Sequence, residues 1–250
     1  ILPRENRLRI AARAARVGTG SLAQRIIGRM RIGNIPIENF PTPNRIPFRD
    51  QVPTVIKPAG SPVGTVVYFT GCATNHIFEG TGHAVTTVLQ RMGYRIIIPP
   101  DQGCCGLPLF FHGGTQRARG PILSNIKALQ LNGCDAVIVD CATCGSALSH
   151  AYPKLMDEMG FCADPARDLA AKVWDVGEFI LEKFSDLEPH LATGKAKEKV
   201  TYHLPCHLKN HGRGRDRVET LMELLPHVDY QRTVDWDACC GGGGFFFNEY

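Results

Sequence analysis

Two stretches of this 250-residue chain follow one plan. Residues 65–72, TVVYFTGC, are a short apolar run that ends on Cys72, and residues 199–206, KVTYHLPC, end the same way on Cys206. A helical pattern follows each, HAVTTVLQRM and RVETLMELL, then a second apolar run, YRIIIPP and VDYQRTV, then paired cysteines in GCCGLPL and ACCGGGG. Cys72 precedes Cys104 by 32 positions and Cys206 precedes Cys239 by 33. A strand, helix, strand and cysteine order repeated at nearly one spacing is an internal repeat, and βαβ units of this kind build a parallel sheet.

The rest of the chain extends the pattern. GTQRARGPILSNIKALQLNG (114–133) reads as a helix, DAVIVD (135–140) as a buried strand, DLAAKVWDVGEFILEKF (168–184) as one longer amphipathic helix, and EPHLATGKAKEK (188–199) as a loop. The expected fold is α/β, with two pseudo-repeated Rossmann-like parallel-sheet βα units that carry cysteines at their strand C-termini. The expected divisions are 1–60, a basic helical segment and proline-rich linker; 61–197, the first unit; and 198–250, the second.

Residues 1–60 hold eleven Lys and Arg against three Asp and Glu, whereas residues 61–250 hold seventeen against twenty-one, so the net charge of +4 belongs to the N-terminal part. RLRIAARAARVGTGSLAQRIIGRMRIG (7–33) reads as one or two helices broken near Gly18–Gly20, either packed as a solvated face on its own protein or docking a partner or acidic lipid headgroups. No aromatics are interleaved there for nucleic acid. The linker NIPIENFPTPNRIPFRDQVPTVIKPAGSP (34–62) is expected to run extended, without regular structure of its own. No apolar run nears the roughly 20 residues that span a bilayer. ILPRENRLRI lacks the pattern of an export signal, and a start at Ile1 is what a fragment or processed chain would show. Ten cysteines without an export signal point to reduced thiols and metal in a cytoplasmic setting.

DQGCCGLP (101–108) asks what needs two adjacent thiols. A disulfide between neighbours is disfavoured, because α-carbons about 3.8 Å apart fall short of the roughly 4.4–6.8 Å that such a bond spans. Aiming Cys104 and Cys105 at one target needs a turn, which Gly103 and Gly106 permit. Cys72, Cys104, Cys105 and the CATC pair Cys141 and Cys144 all follow expected strands, so they gather at the carboxyl edge of the sheet, where ligands bind. Helices that start there offer amides and positive dipole to thiolates. Four thiolates satisfy a structural zinc or a cubane cluster; five leave one over for zinc, and the count leans toward iron and sulfide. One of the five as a buried structural cysteine is the alternative.

The pattern C-x31-CCG-x34-CxxC, from Cys72 through Cys104, Cys105 and Gly106 to Cys141 and Cys144, resembles the cysteine-rich CCG domain. That domain occurs in heterodisulfide reductase catalytic subunits and in iron-sulfur subunits of glycolate oxidase, lactate-utilisation oxidoreductases and anaerobic glycerol-3-phosphate dehydrogenase. The resemblance covers residues 64–250 and implies a [4Fe-4S] cluster, noncubane as in heterodisulfide reductases, on Cys72, Cys104, Cys105, Cys141 and Cys144. It implies a second metal site on Cys206, Cys239 and Cys240, either [4Fe-4S] or zinc, whose partner CxxC is not reached before Tyr250. It also implies a flavoprotein dehydrogenase partner, a ferredoxin-like cluster domain upstream or on another chain, a possible quinone-reactive membrane subunit, and a peripheral place on the cytoplasmic side of a membrane.

Outside these positions, Cys134 and Cys162 read as core or incidental thiols. His207 in LPCHLKN either bonds a cluster sulfur, moves a proton or makes a structural bond, and His76 and His112 read as surface residues more than catalysts. GGGG (241–244) lacks the Lys-Ser/Thr of a phosphate loop and reads as close backbone approach to a cluster, shielded by Phe245–Phe247. The leading function is an electron-transfer subunit between a 2-hydroxy acid or glycerol 3-phosphate flavoprotein dehydrogenase and a quinone or other carrier. The alternatives are a heterodisulfide reductase-like enzyme and a zinc-stabilised structural module.

Overall fold

The sheet order is set by the two apolar faces of its central strand. In a computed structural model that describes residues 5–19, 31–32, 35–36, 41–111, 113–130, 133–191, 196–214 and 216–241, helix α1 spans Glu5–Thr19. A two-residue ribbon follows, β1 (Arg31–Ile32) with β2 (Ile35–Pro36). Next come α2 (Phe48–Gln51), β3 (Val55–Ile56), β4 (Gly64–Phe69), α3 (Ala73–His76), α4 (Glu79–Arg91) and β5 (Tyr94–Ile97). Helices α5 (Leu107–Phe111) and α6 (Thr115–Leu129) lead to β6 (Ala136–Val139) and α7 (Ala142–Ser146). A π-helical turn at Ala147–Ala151 then precedes α8 (Tyr152–Glu158), α9 (Asp164–Lys172), β7 (Val173–Asp175) and α10 (Val176–Glu182).

Along β4, Val66 and Tyr68 face a layer built from Val85 and Leu89 of α4, while Val67 and Phe69 face Ala118, Ile122 and Ile126 of α6. All four strand residues are fully buried, as expected of a parallel strand covered on both faces. The order is β3-β5-β4-β6-β7. Strand β4 pairs parallel with β5 on one side and β6 on the other, β6 pairs parallel with β7, and β3 adds an antiparallel edge to β5. The chain thus leaves β4 one way and returns past it the other way, which opens a switch-point crevice at the carboxyl ends of β4 and β6.

The second unit repeats the plan in small. After α11 (Phe184–Leu187), β8 (Glu198–Val200) and β9 (Val228–Tyr230) pair parallel, joined through α12 (Cys206–His211) and α13 (Arg217–Leu224). Leu204, Leu208 and Val218 form its core, and Ala142 of α7 packs against that core from the first unit. Buried Glu178 accepts the Arg213 N–H at 2.6 Å, and Arg217 reaches Glu182 at 2.7 Å, so polar contacts seal the same junction.

The α/β class and the parallel pairing match the sequence reading, and two local expectations are corrected. The stretch 168–184 is not one helix: VWD peels off as β7, because the open edge of β6 accepts a β-branched and aromatic run, and Asp175 starts a new helix by accepting the Gly177 N–H at 2.9 Å. The linker is not without structure either. Phe48 is fully buried against Tyr68 and His83, and Val55–Ile56 extends the sheet. Helix α1 is held to the body by Arg9, which forks onto Asp50 at 2.5 and 2.8 Å, and by Arg16 on the Pro43 carbonyl at 2.9 Å. The expected helical stretch beyond Thr19 lies outside the described residues through residue 30.

Phe48→Ala should cost about 3–5 kcal/mol in urea unfolding; a change below 1 kcal/mol would show that the anchoring is not made by this ring. Burial raises the Asp175 carboxyl from about 3.8 to about 6. A raised carboxyl favours the fold below its unfolded value, and that contribution is lost as pH rises through about 6. Asp175→Asn keeps the cap acceptor without the charge. Its stability relative to the native chain should therefore rise by about 1–1.5 kcal/mol between pH 5 and pH 8, whereas parallel curves would refute the assignment.

Candidate metal centre

Three loops at the switch-point crevice carry the first set of thiols, and each is shaped by a specific local device. After β4 the chain turns at Gly71, whose φ is +61°; a β-carbon there would sit 3.0 Å from the Cys144 sulfur. The strand-end loop therefore passes against a thiol with room for hydrogen only. Cys72 then opens α3. After β5, Gly106 adopts φ +80° and donates its N–H to Cys104 Sγ at 3.4 Å. After β6, Cys141 caps α7 and Cys144 lies in its first turn, with Gly145 N–H on the Cys141 carbonyl at 2.9 Å.

The CCG turn has no ladder to hold it, so side chains hold it instead. Fully buried Gln102 accepts the Thr70 N–H at 2.8 Å and donates to the Tyr68 carbonyl at 3.1 Å. Fully buried Asn125 of α6 accepts the Gly103 N–H at 2.8 Å and donates to the Cys104 carbonyl at 2.9 Å and to Tyr152 Oη at 3.0 Å. Tyr152 in turn donates to the Cys105 carbonyl at 2.9 Å. Beside Cys141, Asp140 Oδ2 accepts from Tyr68 at 2.8 Å and Thr74 at 2.7 Å, and burial raises that carboxyl. Sequence reasoning missed these four clamps. The one available signal was a polar Asn125 among the core-facing Ile122, Ile126 and Leu129 of α6.

The structure gathers Cys72, Cys104, Cys105, Cys141 and Cys144 at this crevice, near enough for each to perturb the ionisation of its neighbours. All are free thiols; Cys105 and Cys144 are buried at 3% and 4% exposure and the other three are half-buried. The neighbouring Cys105 and Cys72 thiols and the Gly106 amide, which donates to Cys104 Sγ, lower Cys104. The Cys144 thiol beside it, with the amides of Cys144 and Thr143 at the start of α7, lowers Cys141 to about 7. Cys72 and Cys105 are raised by the neighbouring Cys104, and Cys144 by Cys105 and Cys141, all three with burial adding to the effect. Five thiolates so close cannot coexist alone, and a cationic group bound here would displace the remaining protons. Among the described residues no three Cys, His, Asp or Glu side chains converge as around a single metal ion. An all-sulfur donor set with a loop that admits no side chain at Gly71 fits a sulfur-rich multi-iron group.

The second set is built alike. Cys206 opens α12, and its pKa is raised by desolvation and by the neighbouring Cys239 and Cys240 thiols. Gly241, at φ +68°, donates to Cys239 Sγ at 3.5 Å, as Gly106 does to Cys104. Residues 242–250, with the remaining glycines and Phe245–Phe247, lie outside the described residues, as does His112. His207 bonds Thr143 Oγ1 at 3.2 Å and stacks on Phe111 with centroids 6.0 Å apart, so its contact is the structural one and links the two sets. His76 is buried, at 6% exposure, and not the surface residue expected; α3 carries it under the loops. Cys134 is buried, with its carbonyl bound by Lys172 at 3.1 Å, and Cys162 is exposed beside Asp164; neither joins a set.

Doubled parallel βα units with adjacent cysteines after one strand and a cysteine before each first helix define a class of α/β proteins built to hold sulfur-ligated groups. The model of the CCG cysteine-rich domain matches residues 66–149 and 200–249, more than half the chain, and the protein belongs to that family. The chain is 28% identical over 184 residues to one of the subunits of the fumarate reductase (CoM/CoB) of Methanothermobacter marburgensis, covering 74% of this chain and 34% of that one. It is 29% identical to a probable glycolate oxidase iron-sulfur subunit of Bacillus subtilis, over 72% of this chain and 40% of the relative. It is also 29% identical to one of the subunits of the dihydromethanophenazine:CoB–CoM heterodisulfide reductase of Methanosarcina mazei, over 72% and 43%. The chain thus spans less than half the length of these three relatives. Among the described residues no helix is long and apolar enough to cross a membrane.

Asn125→Leu keeps the volume and strips the clamp from the CCG turn. It should destabilise the chain by about 2–3 kcal/mol and speed alkylation of Cys104 and Cys105 by a thiol reagent; unchanged alkylation would show that the turn holds itself.

Proposed function

We propose that this chain is the iron-sulfur electron-transfer part of an oxidoreductase complex, set between a flavoprotein dehydrogenase of the 2-hydroxy acid or glycerol 3-phosphate type and a quinone or other carrier. The observation that supports this reading is the gathering of five free thiols from three strand ends at one crevice, two of them buried and three half-buried. Cys72, Cys104, Cys105, Cys141 and Cys144 would hold a [4Fe-4S] cluster, noncubane as the resemblance implies. Cys206, Cys239 and Cys240 belong to a second centre, iron-sulfur or zinc. A cluster bound there supplies a group that accepts and releases single electrons.

The chain's own residues supply position, charge and shielding. Asn125, Tyr152 and Gln102 fix the CCG turn, so the sulfurs need not reorganise. The Gly106 and Gly241 amides donate to Cys104 and Cys239, and such donation to cluster sulfurs raises a reduction potential. Burial of Cys105 and Cys144 favours a relay over direct attack on a disulfide substrate, the chemistry of the heterodisulfide reductase reading. The proposed division into units at 61–197 and 198–250, a ferredoxin-like domain and a flavoprotein as partners, and a peripheral place at the cytoplasmic face of a membrane belong to the same reading.

Protein purified without oxygen should contain iron and acid-labile sulfide and give an EPR signal; zinc alone would overturn the proposal. Cys105→Ala should remove or convert the first cluster's signal, whereas Cys162→Ala should leave it intact.

A further inference from the structure

A cavity of about 380 Å³ opens between the two units, at the carboxyl ends of β6 and β7. That size falls within the range of about 300–1,000 Å³ typical of small-molecule sites. Its apolar walls are Val139, Ala142, Val173 and Leu208, and none of the cysteines lines it. Ala142 and Gly145 belong to α7, the helix that carries Cys141 and Cys144, so an occupant would lie across one helix from the first thiol set.

The polar groups facing this space include both donors and acceptors. Ser146 is buried, at 6% exposure, and its hydroxyl has no hydrogen-bond partner among the described residues. Ser149 spends its one proton on the Gly145 carbonyl at 2.7 Å, so the 2.7 Å contact to His150 Nδ1 must be a donation from the ring. His150 Nε2 is left as an acceptor. His211 comes from the other unit, with its ring centroid 4.2 Å from that of His150. The Asp175 carboxyl also lines the cavity, held up at about 6 by burial.

Free positive charge is missing from the lining. It contains no lysine, and the Arg213 guanidinium stacks over Trp174 at 3.6 Å while donating to the carbonyls of Ala171 and Val173 at 3.3 and 3.1 Å. Glu178 and Asp175 would repel an anion, so carboxylates and phosphates do not suit the site. What suits it is a neutral ring with oxygen functions that both accept and donate.

We infer that this cavity binds the head group of a quinone or quinol, its carbonyls accepting from Ser146 and His211 and its hydroxyls donating to His150 Nε2 and Asp175. The choice of a redox-active ring among neutral oxygenated rings rests on the electron-transfer reading above.

The probe is ubiquinone-1, whose fully substituted ring resists addition by thiols, titrated into the holoprotein while tryptophan quenching is followed. Saturable binding is expected, weakened roughly 3- to 10-fold by Ser146→Ala and by His150→Phe and unchanged by Cys162→Ala. Melting curves and iron content of each variant report folding independently. Binding indifferent to both cavity variants, or displacement by equimolar lactate or glycerol 3-phosphate, would overturn the inference. Protein with iron and sulfide but no saturable binding would defeat the inference and leave the electron-transfer reading standing. Binding by protein without iron would defeat that reading and leave the site standing.

Discussion

Five thiols gathered at one crevice are an electrostatic problem before they are a binding site. Each ionisation makes the next harder, and the directions of their shifts show the compromise: Cys104 and Cys141 are lowered while Cys72, Cys105 and Cys144 are raised. Left to relax, such a set would spread apart. It is kept together because each thiol stands on a backbone that cannot yield. Cys72 follows a strand paired on both sides, Cys141 caps a helix at the end of another buried strand, and the CCG turn is clamped by Asn125, Tyr152 and Gln102. The sheet therefore stores the positional precision, and the loops carry the chemistry.

The same logic explains why the plan occurs twice. Parallel strands end at one edge, so a cysteine placed after each strand needs no further folding rule to reach its neighbours. The amide contacts of Gly106 on Cys104 and Gly241 on Cys239 show that the turn geometry, as well as the spacing, is repeated. Divergence lies in support. The first turn sits under buried Asn125 and Tyr152, whereas the turn that carries exposed Cys239 and Cys240 is held just ahead of them, by His203 on the Ala238 carbonyl at 2.9 Å and Lys209 on the Asp237 carbonyl at 3.2 Å.

Much of this was legible in the sequence because it rests on periodicity and spacing. Short apolar runs ending on Cys72 and Cys206 imply parallel strands, and glycines beside paired cysteines imply turns. What was hidden depended on single side chains or very short elements. A three-residue strand at VWD carries too few residues to interrupt the helical period around it, so β7 emerges only when β6 offers it an open edge. Phe48 in a proline-rich stretch has no pattern to announce its burial, yet it fills the space beside Tyr68. Asn125 interrupts an apolar stripe and would be taken for a surface residue, although its three hydrogen bonds fix the turn. His76 reads as a surface residue for the same reason, since its burial is decided by the loops folded over α3.

The junction between the units ties these strands of argument together. Helix α7 must present Cys141 and Cys144 to the first set while its Ala142 packs into the core of the second unit and its Thr143 meets His207, the residue after Cys206. A shift of α12 would therefore move the helix that carries two of the five thiols. It would also reshape the cavity walled by Ala142 and Leu208. The second unit thus serves the first even apart from any group of its own: it fixes α7 from behind, and the precision of the first thiol set depends on that support.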